Sequence, residues 1–129
     1  MNKFFKPQVL AAAAAVSMLF VGCVDRPLDE SRPVVFMDAQ VADCFDVAGF
    51  AQSTMPDGRL HVVANIVNRA HHPLEAQVEC VFKDEHGFST GDETPWQTMI
   101  FTENGQETVS FTAMNAQAKK ATIRVRRAR

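Results

Sequence analysis

The chain has 129 residues and a formal net charge of −2, which suits one domain with a single hydrophobic core. Without the leader predicted below, 11 basic residues stand against 15 acidic ones. The resulting net charge of −4 gives no general attraction to nucleic acid.

Residues 1–22 have the pattern of a bacterial export signal, a leader helix that is removed from the mature chain. A positive start without an acidic residue precedes an alanine-rich apolar run at residues 9–21. The run is shorter than the about 20 residues that a membrane-spanning helix needs. Gly22 and Cys23 follow, and the pattern favours cleavage before Cys23 over ordinary secretion or an uncleaved anchor.

Residues 20–23, Phe-Val-Gly-Cys, resemble the lipobox of bacterial lipoproteins, whose cysteine becomes lipidated. We therefore expect Cys23 to hold the protein on a membrane through acyl chains, at about 0.8 kcal/mol per buried CH₂. Charged residues and two prolines predict a short tether over residues 23–33. The valine after Cys23 implies, by the sorting of enteric lipoproteins, the outer membrane of the cell envelope and a domain facing the periplasm, with the inner membrane as the alternative.

Residues 34–129 form the predicted domain, and their apolar residues recur with the period of two that is typical of strands. Strand formers open it at residues 34–37. Three apolar residues of one parity predict a second short strand before Gly49: Val41, Phe45 and Val47.

The stretch 60–83 alternates most clearly, and we interpret it as a β-hairpin on which the rest of the domain packs. One parity of each half predicts core positions: Leu60, Val62, Ala64, Ile66, Leu74, Ala76, Val78, Cys80 and Phe82. His71, His72 and Pro73 lie in the polar turn, which ends at Pro73 because proline lacks an N–H.

The later strands begin at Trp96, near Val109 and at Ala121. Asn104-Gly105 predicts a type I′ hairpin turn between the first two. About seven short strands and no long helix predict an all-β fold, an immunoglobulin-like antiparallel β-sandwich.

Several segments resemble the YcfL-like bacterial lipoproteins. They are Asn68-Arg69, residues 82–87, Trp96 and residues 122–126. The resemblance covers residues 34–127 and implies the same sandwich and the same lipid anchor. These motifs mark strand ends, turns and a core aromatic in that family, so the resemblance transfers no active site.

Cys44 and Cys80 remain once Cys23 carries lipid. An oxidising envelope would permit a bridge between them, worth roughly 4 kcal/mol in the chain-entropy model. Cys80 shares the parity of the core set, whereas Cys44 falls opposite its apolar neighbours. We therefore expect two separate cysteines, with Cys80 buried and inert.

The histidines and carboxylates do not assemble into a recognisable site. His72 and His86 flank one predicted strand, so at ~3.3 Å per residue they lie too far apart to share a metal ion. Paired carboxylates fall in turn-like segments, and neither a glycine-rich phosphate loop nor Cys-x-x-Cys occurs. We predict a non-enzymatic protein without a metal or another cofactor.

Charge is distributed unevenly along the chain. Between Cys23 and Ala118 there are 15 acidic and five basic residues, whereas Lys119 onward has six basic residues and no acidic one. The candidate partner-binding residues are Arg124, Arg126, Arg127, Arg129, His71 and His72. Either the arginines form a solvated face that blunts a sheet edge, or they bind phosphate-bearing lipid, an acidic cell-wall polymer or an acidic envelope protein. If the last strand is an edge, it can also add a strand from a partner.

The sequence thus favours an interaction or scaffold module of the cell envelope. A small-ligand carrier with a pocket between the sheets, under Trp96, Phe101 and Phe111, is one alternative. An accessory factor for a cell-wall enzyme is another.

Overall fold

The computed structural model describes residues 32–129, which form two β-sheets around one core. The predicted signal peptide, Cys23 and nearly all of the tether lie outside the described residues. In chain order the elements are β1 (Val34–Phe36), α1 (Ala39–Cys44), β2 (Phe45–Thr54), β3 (Leu60–Asn68), β4 (Leu74–Lys83), β5 (Gln97–Phe101), β6 (Gln106–Thr112) and β7 (Lys120–Arg127). The prediction of an all-β sandwich with about seven strands is confirmed. None of the described helices is long and apolar enough to cross a membrane.

The larger sheet has the strand order β1-β7-β4-β5, and the smaller sheet has the order β2-β3-β6. Neighbouring strands are antiparallel except β1 and β7, which run parallel with Val34 opposite Ile123. The predicted antiparallel pairing is therefore wrong for β1. The chain leaves β1 through α1 for the other sheet, so β1 pairs with the last strand instead of with its successor.

The predicted hairpin of residues 60–83 is wrong, although both of its halves are strands with the predicted faces. Val62 and Ala76 are fully buried, as the alternation requires. However, β3 lies in the smaller sheet and β4 in the larger one, so residues 69–73 cross between the sheets. Alternation specifies which face is buried and leaves the choice of neighbour to long-range packing.

The true hairpin joins β2 to β3 through residues 55–59, where Gly58 has a positive φ of 88°. The Asn104-Gly105 turn crosses between the sheets instead of closing a hairpin. Only Asn104 of this pair has a positive φ, 52°, so the turn is not type I′. Glycine is still favoured at 105, because a Cβ there would collide with the Thr102 side chain and lie 3.0 Å from the Thr102 carbonyl oxygen.

Val41 was predicted in a strand, and that prediction is wrong. It is the buried residue of the six-residue helix α1, and the strand begins only at Phe45. The run Ala39 to Ala42 contains two alanines and a glutamine, which favour a helix. Asp38 precedes the helix, and its carbonyl accepts a bond from the Ala42 N–H at 2.9 Å.

The core lies between the sheets. Phe82, Phe101, Ile66 and Ile123 are among its largest fully buried side chains. Each such side chain stabilises the fold by roughly 1.5–3 kcal/mol relative to an exposed one. The ring of Phe45 meets Phe101 edge-on, with centroids 4.8 Å apart, so the first residue of β2 fastens the smaller sheet to the larger.

The sandwich has two different ends. The helix end carries α1, the crossings 69–73 and 102–105, and the end of β7. The tether end carries the connections 55–59, 84–96 and 113–119. Residues 32 and 33 lie on the tether-end side of β1, because β1 is parallel to β7 and the Pro33 carbonyl accepts a bond from the Ile123 N–H at 2.8 Å.

Candidate interaction surfaces

Arg124 lies on the outer face of the larger sheet, opposite Glu79. Its guanidinium is 3.4 Å from the Glu79 carboxylate, whose side chain is only 7% exposed. A carboxylate this buried requires a partner, so Arg124 stabilises the fold. β7 lies between β1 and β4, so the idea that the last strand is an edge is wrong.

Arg126 follows on the same face and stacks on Trp96. Its guanidinium carbon lies 3.8 Å from the centre of the Trp96 ring, a cation–π contact. Its Nε donates a hydrogen bond to Gln77 Oε1 at 2.9 Å. Two of the four predicted arginines are therefore engaged within the larger sheet.

Arg127 and Arg129 lie apart from that face, at the helix end. The Arg127 N–H donates to Asp38 Oδ2 at 2.8 Å, and the Ala128 N–H reaches the Glu75 carbonyl at 3.4 Å. The last residues thus run beside the start of β4. His71 and His72 immediately precede that strand and are exposed, as are Arg127 and Arg129. The structure therefore divides the six candidate residues into a group of two and a group of four.

Asn68 is a buried polar residue whose role the sequence analysis missed. It is 0% exposed, and its Nδ2 donates to the carbonyls of His72, Phe101 and Thr102 at 3.0–3.3 Å. Its Oδ1 accepts a bond from the Ala70 N–H at 2.9 Å. One side chain thus ties together both crossings at the helix end. An asparagine that interrupts the apolar parity at the end of β3 was the available signal.

The three aromatic residues proposed to line a carrier pocket are not brought together. Phe101 and Phe111 are buried in the core. Trp96 is half-buried and lies under Arg126 on the outer face. Its position just before β5, next to Gln97 opposite Val78, places it on the face opposite the core.

Three of the four sheet edges in residues 32–129 are short or carry a charge. β1 has three residues, and β5 has five and follows Pro95. β6 has seven residues and includes Glu107, which stands directly opposite the fully buried Ile66 and so shares its inward face. An inward-pointing charge is a recognised protection of an edge strand.

The fourth edge, β2, carries the ion-paired Asp46 and a bulge near its start, but its second half lacks such protection. It has ten residues, and its sequence from Val47 to Thr54 contains no charged side chain. Every residue from Asp46 to Thr54 is exposed or half-buried. A bulge between Val47 and Gly49 bends its first part, and residues 49–54 then pair regularly with β3. The result is an open, uncharged edge over the second half of β2.

Comparison with known proteins supplies a family. Residues 34–127 match a family model described as "Protein of unknown function (DUF1425)". The chain belongs to the DUF1425 family. No curated protein matches this DUF1425 protein.

Solved structures share the fold of this DUF1425 protein. The crystal structure of Campylobacter jejuni cj0090 is similar with a TM-score of 0.62 and 13% identity, over 74% of this chain and 98% of that one. A DUF1425 family member from Shewanella sp. pv-4 is similar with a TM-score of 0.60 and 22% identity, over 66% and 79%. At these identities the likeness establishes the fold.

The cysteines of this DUF1425 protein are separate, as predicted. Cys44 and Cys80 are both free thiols. Burial raises the pKa of Cys80 to about 12, with smaller contributions from the charges of Asp92 and Glu79. A thiol with so high a pKa is unreactive near neutral pH because the thiolate is the nucleophile.

The histidines of this DUF1425 protein are dispersed. His61 Nδ1 is 2.8 Å from the Thr112 hydroxyl on the smaller sheet. His86 lines an open depression at the tether end with Asp84, Glu85, Gln117 and Lys119, at the other end of β4 from His71 and His72. Within the described part of the chain, no three metal-binding side chains come together.

Proposed function

We propose that this protein is a lipid-anchored, non-enzymatic interaction module of the bacterial envelope, related to the YcfL-like lipoproteins. Its β2 edge accepts an extended segment of a partner envelope protein as an additional strand. The observation that carries the proposal is the ten-residue edge without a charge from Val47 to Thr54.

Strand addition needs a backbone edge that a partner can approach. The unpaired N–H and C=O groups of an edge strand supply the hydrogen bonds, and alternate side chains supply specificity. On β2 the outward residues Ala51 and Ser53 are small and exposed, so they leave room beside the backbone. Phe50 is half-buried on the other face and packs against the core, which holds the strand in place.

The proposed anchor restricts where such a partner is found. Acylation of Cys23 would hold the domain at the periplasmic face of a membrane, with the outer membrane as our proposal. Confinement to that surface raises the effective concentration of a partner in the same membrane. Labelling cells with palmitate tests the anchor. We expect the wild type to be labelled and Cys23→Ser to be unlabelled, and equal labelling of both would contradict it.

A matched pair of substitutions tests the β2 edge. Ala51 on β2 and Ser110 on β6 both stand directly opposite Val63, on its two sides, and both are exposed. A lysine at Ala51 adds a protecting charge to the open edge, whereas a lysine at Ser110 adds one to an edge that already has Glu107.

The readout is co-purification of envelope proteins after chemical crosslinking in intact cells. We expect Ala51→Lys to reduce the recovered partner at least tenfold and Ser110→Lys to leave it unchanged. Equal recovery from the two variants would remove β2 from the proposal. Circular dichroism of both variants verifies that each one is folded.

A further inference from the structure

The tether end of the sandwich presents two large apolar side chains to solvent. Met114 is 81% exposed and Phe88 is 71% exposed, the highest values among the exposed large apolar residues of the described chain. They come from different connections, 113–119 and 84–96, and both connections lie at this end. Single exposed apolar residues are ordinary, but two that reach solvent at one end of a domain need an explanation.

A hydrogen-bonded turn holds Phe88 in place. The Asp84 carboxylate accepts bonds from the N–H groups of His86 and Phe88 at 2.9 and 3.0 Å, and Gly87 has a positive φ of 85°. This turn fixes the backbone that presents Phe88.

Asp92 connects the two loops. Its Oδ2 accepts a hydrogen bond from the Met114 N–H at 3.0 Å, and the Thr90 hydroxyl donates to its Oδ1. The two apolar side chains therefore stand on one hydrogen-bonded framework.

We infer that Phe88 and Met114 rest on the lipid surface that carries the anchor, so that the domain stands on its tether end. The inference rests on the acylation of Cys23 in the proposed function. From Cys23 to Arg32 the chain takes nine steps, which span at most about 32 Å when fully extended. The ten residues of β4 already separate the two ends by roughly 30 Å.

Arg32 lies near the tether end, because Val34 stands opposite Ile123, close to the start of β7. The tether end therefore touches the membrane with a slack tether, whereas the helix end reaches it only with a nearly extended one. Acidic and basic side chains, Glu85 and Lys120 among them, are both exposed at the tether end. Because charges of both signs are exposed there, we expect apolar insertion, and not attraction to anionic headgroups, to make the contact. Such a contact suits zwitterionic headgroups.

Tryptophan probes test the inference in the protein from Cys23 onward. Trp96→Phe removes the native tryptophan, and Phe88→Trp, Met114→Trp or Ile100→Trp then introduces a single probe. Ile100 is the matched control, because it is 66% exposed and stands opposite Glu75, near the helix end of the larger sheet.

Coupling to a maleimide lipid imposes the anchor chemically. Cys44→Ser leaves Cys23 as the reactive thiol, because Cys80 is buried and its pKa is about 12. The vesicles contain phosphatidylcholine and phosphatidylethanolamine with brominated acyl chains. We expect quenching at positions 88 and 114 at least twice that at position 100.

Equal quenching at the three positions, or stronger quenching at position 100, would overturn the inference. Flotation of the cell-made protein with membranes reports on natural acylation separately. If the cell-made protein does not float with membranes, the proposed anchor is contradicted. Equal quenching at the three positions in the coupled vesicles contradicts the tether-end contact instead.

Discussion

The smaller sheet has two edges, β2 and β6, that flank the same central strand in different ways. Ala51 and Ser110 both stand directly opposite Val63, one on each side of it. β6 turns Glu107 toward the core, whereas β2 has no charge from Val47 to Thr54. Open edges promote unwanted pairing, so natural sheets protect them. The difference teaches that the second half of β2 is the less protected of the two edges, as the proposed strand addition requires.

The largest expected effect comes from Asn68, the last residue of β3, because both edge strands pair with β3. Asn68→Ala removes four hydrogen bonds, three of which the Asn68 amide donates to the carbonyls of His72, Phe101 and Thr102. We expect the free energy of unfolding to fall by about 3 kcal/mol. Urea denaturation measures it. Asn65→Ala is the control, since Asn65 is half-buried on the outer face, and a loss there as large as at Asn68 would contradict the assigned role.

The second effect is a pH dependence of stability, which the buried Cys80 in the core between the sheets produces. The pKa of Cys80 is raised from 9.0 to about 12, so above pH 9 the unfolded chain loses this proton while the folded chain keeps it. Stability therefore falls as pH rises through this window. Between pH 8 and pH 10 we expect the wild type to lose about 1.4 kcal/mol more than Cys80→Ala. Chemical denaturation at both pH values measures this loss, and Cys44→Ala should retain it in full. Parallel pH profiles for the wild type and Cys80→Ala would contradict it.

A third substitution removes the protection from β6. Glu107→Val replaces the inward carboxylate opposite Ile66 with an apolar side chain. We expect about fivefold stronger self-association, worth ~1 kcal/mol, because the edge then resembles β2. Sedimentation velocity over a concentration series measures it. Glu103→Val, in the crossing 102–105, makes the same change of charge away from the strand and should have no effect.

The smallest expected effect concerns the four residues that gather at the helix end. Arg127→Gln with Arg129→Gln removes two exposed charges and no core contact. We expect less than 0.5 kcal/mol in stability, as for ordinary surface substitutions. Partner recovery should change less than twofold. A tenfold loss of recovery would move the binding surface from β2 to the helix end.

The buried faces were predictable from the sequence because strand alternation is local. Val62, Ala76 and Cys80 lie inside, as their parity requires. The pairing of strands was not predictable in the same way, since both the 69–73 and the 102–105 turns cross between sheets. Turn chemistry indicates that the chain reverses and does not indicate which sheet receives the next strand.

The candidate interaction surfaces were likewise predictable only in part. The arginines of β7 were identified from charge, but their engagement by Glu79 and Trp96 depends on register, which only the folded sheet defines. The open edge of β2 was missed because an edge is a property of strand order. α1 was missed because six residues are too few for a helical period to stand out from a strand pattern.

Photocrosslinking in living cells tests the β2 edge most directly. A benzophenone amino acid replaces Ala51 in one variant and Ser110 in the other, so the two probes differ only in which edge they occupy. We predict a discrete crosslinked partner from position 51 and none from position 110. Equal adducts from both positions, or adducts from position 110 alone, would contradict strand addition at β2.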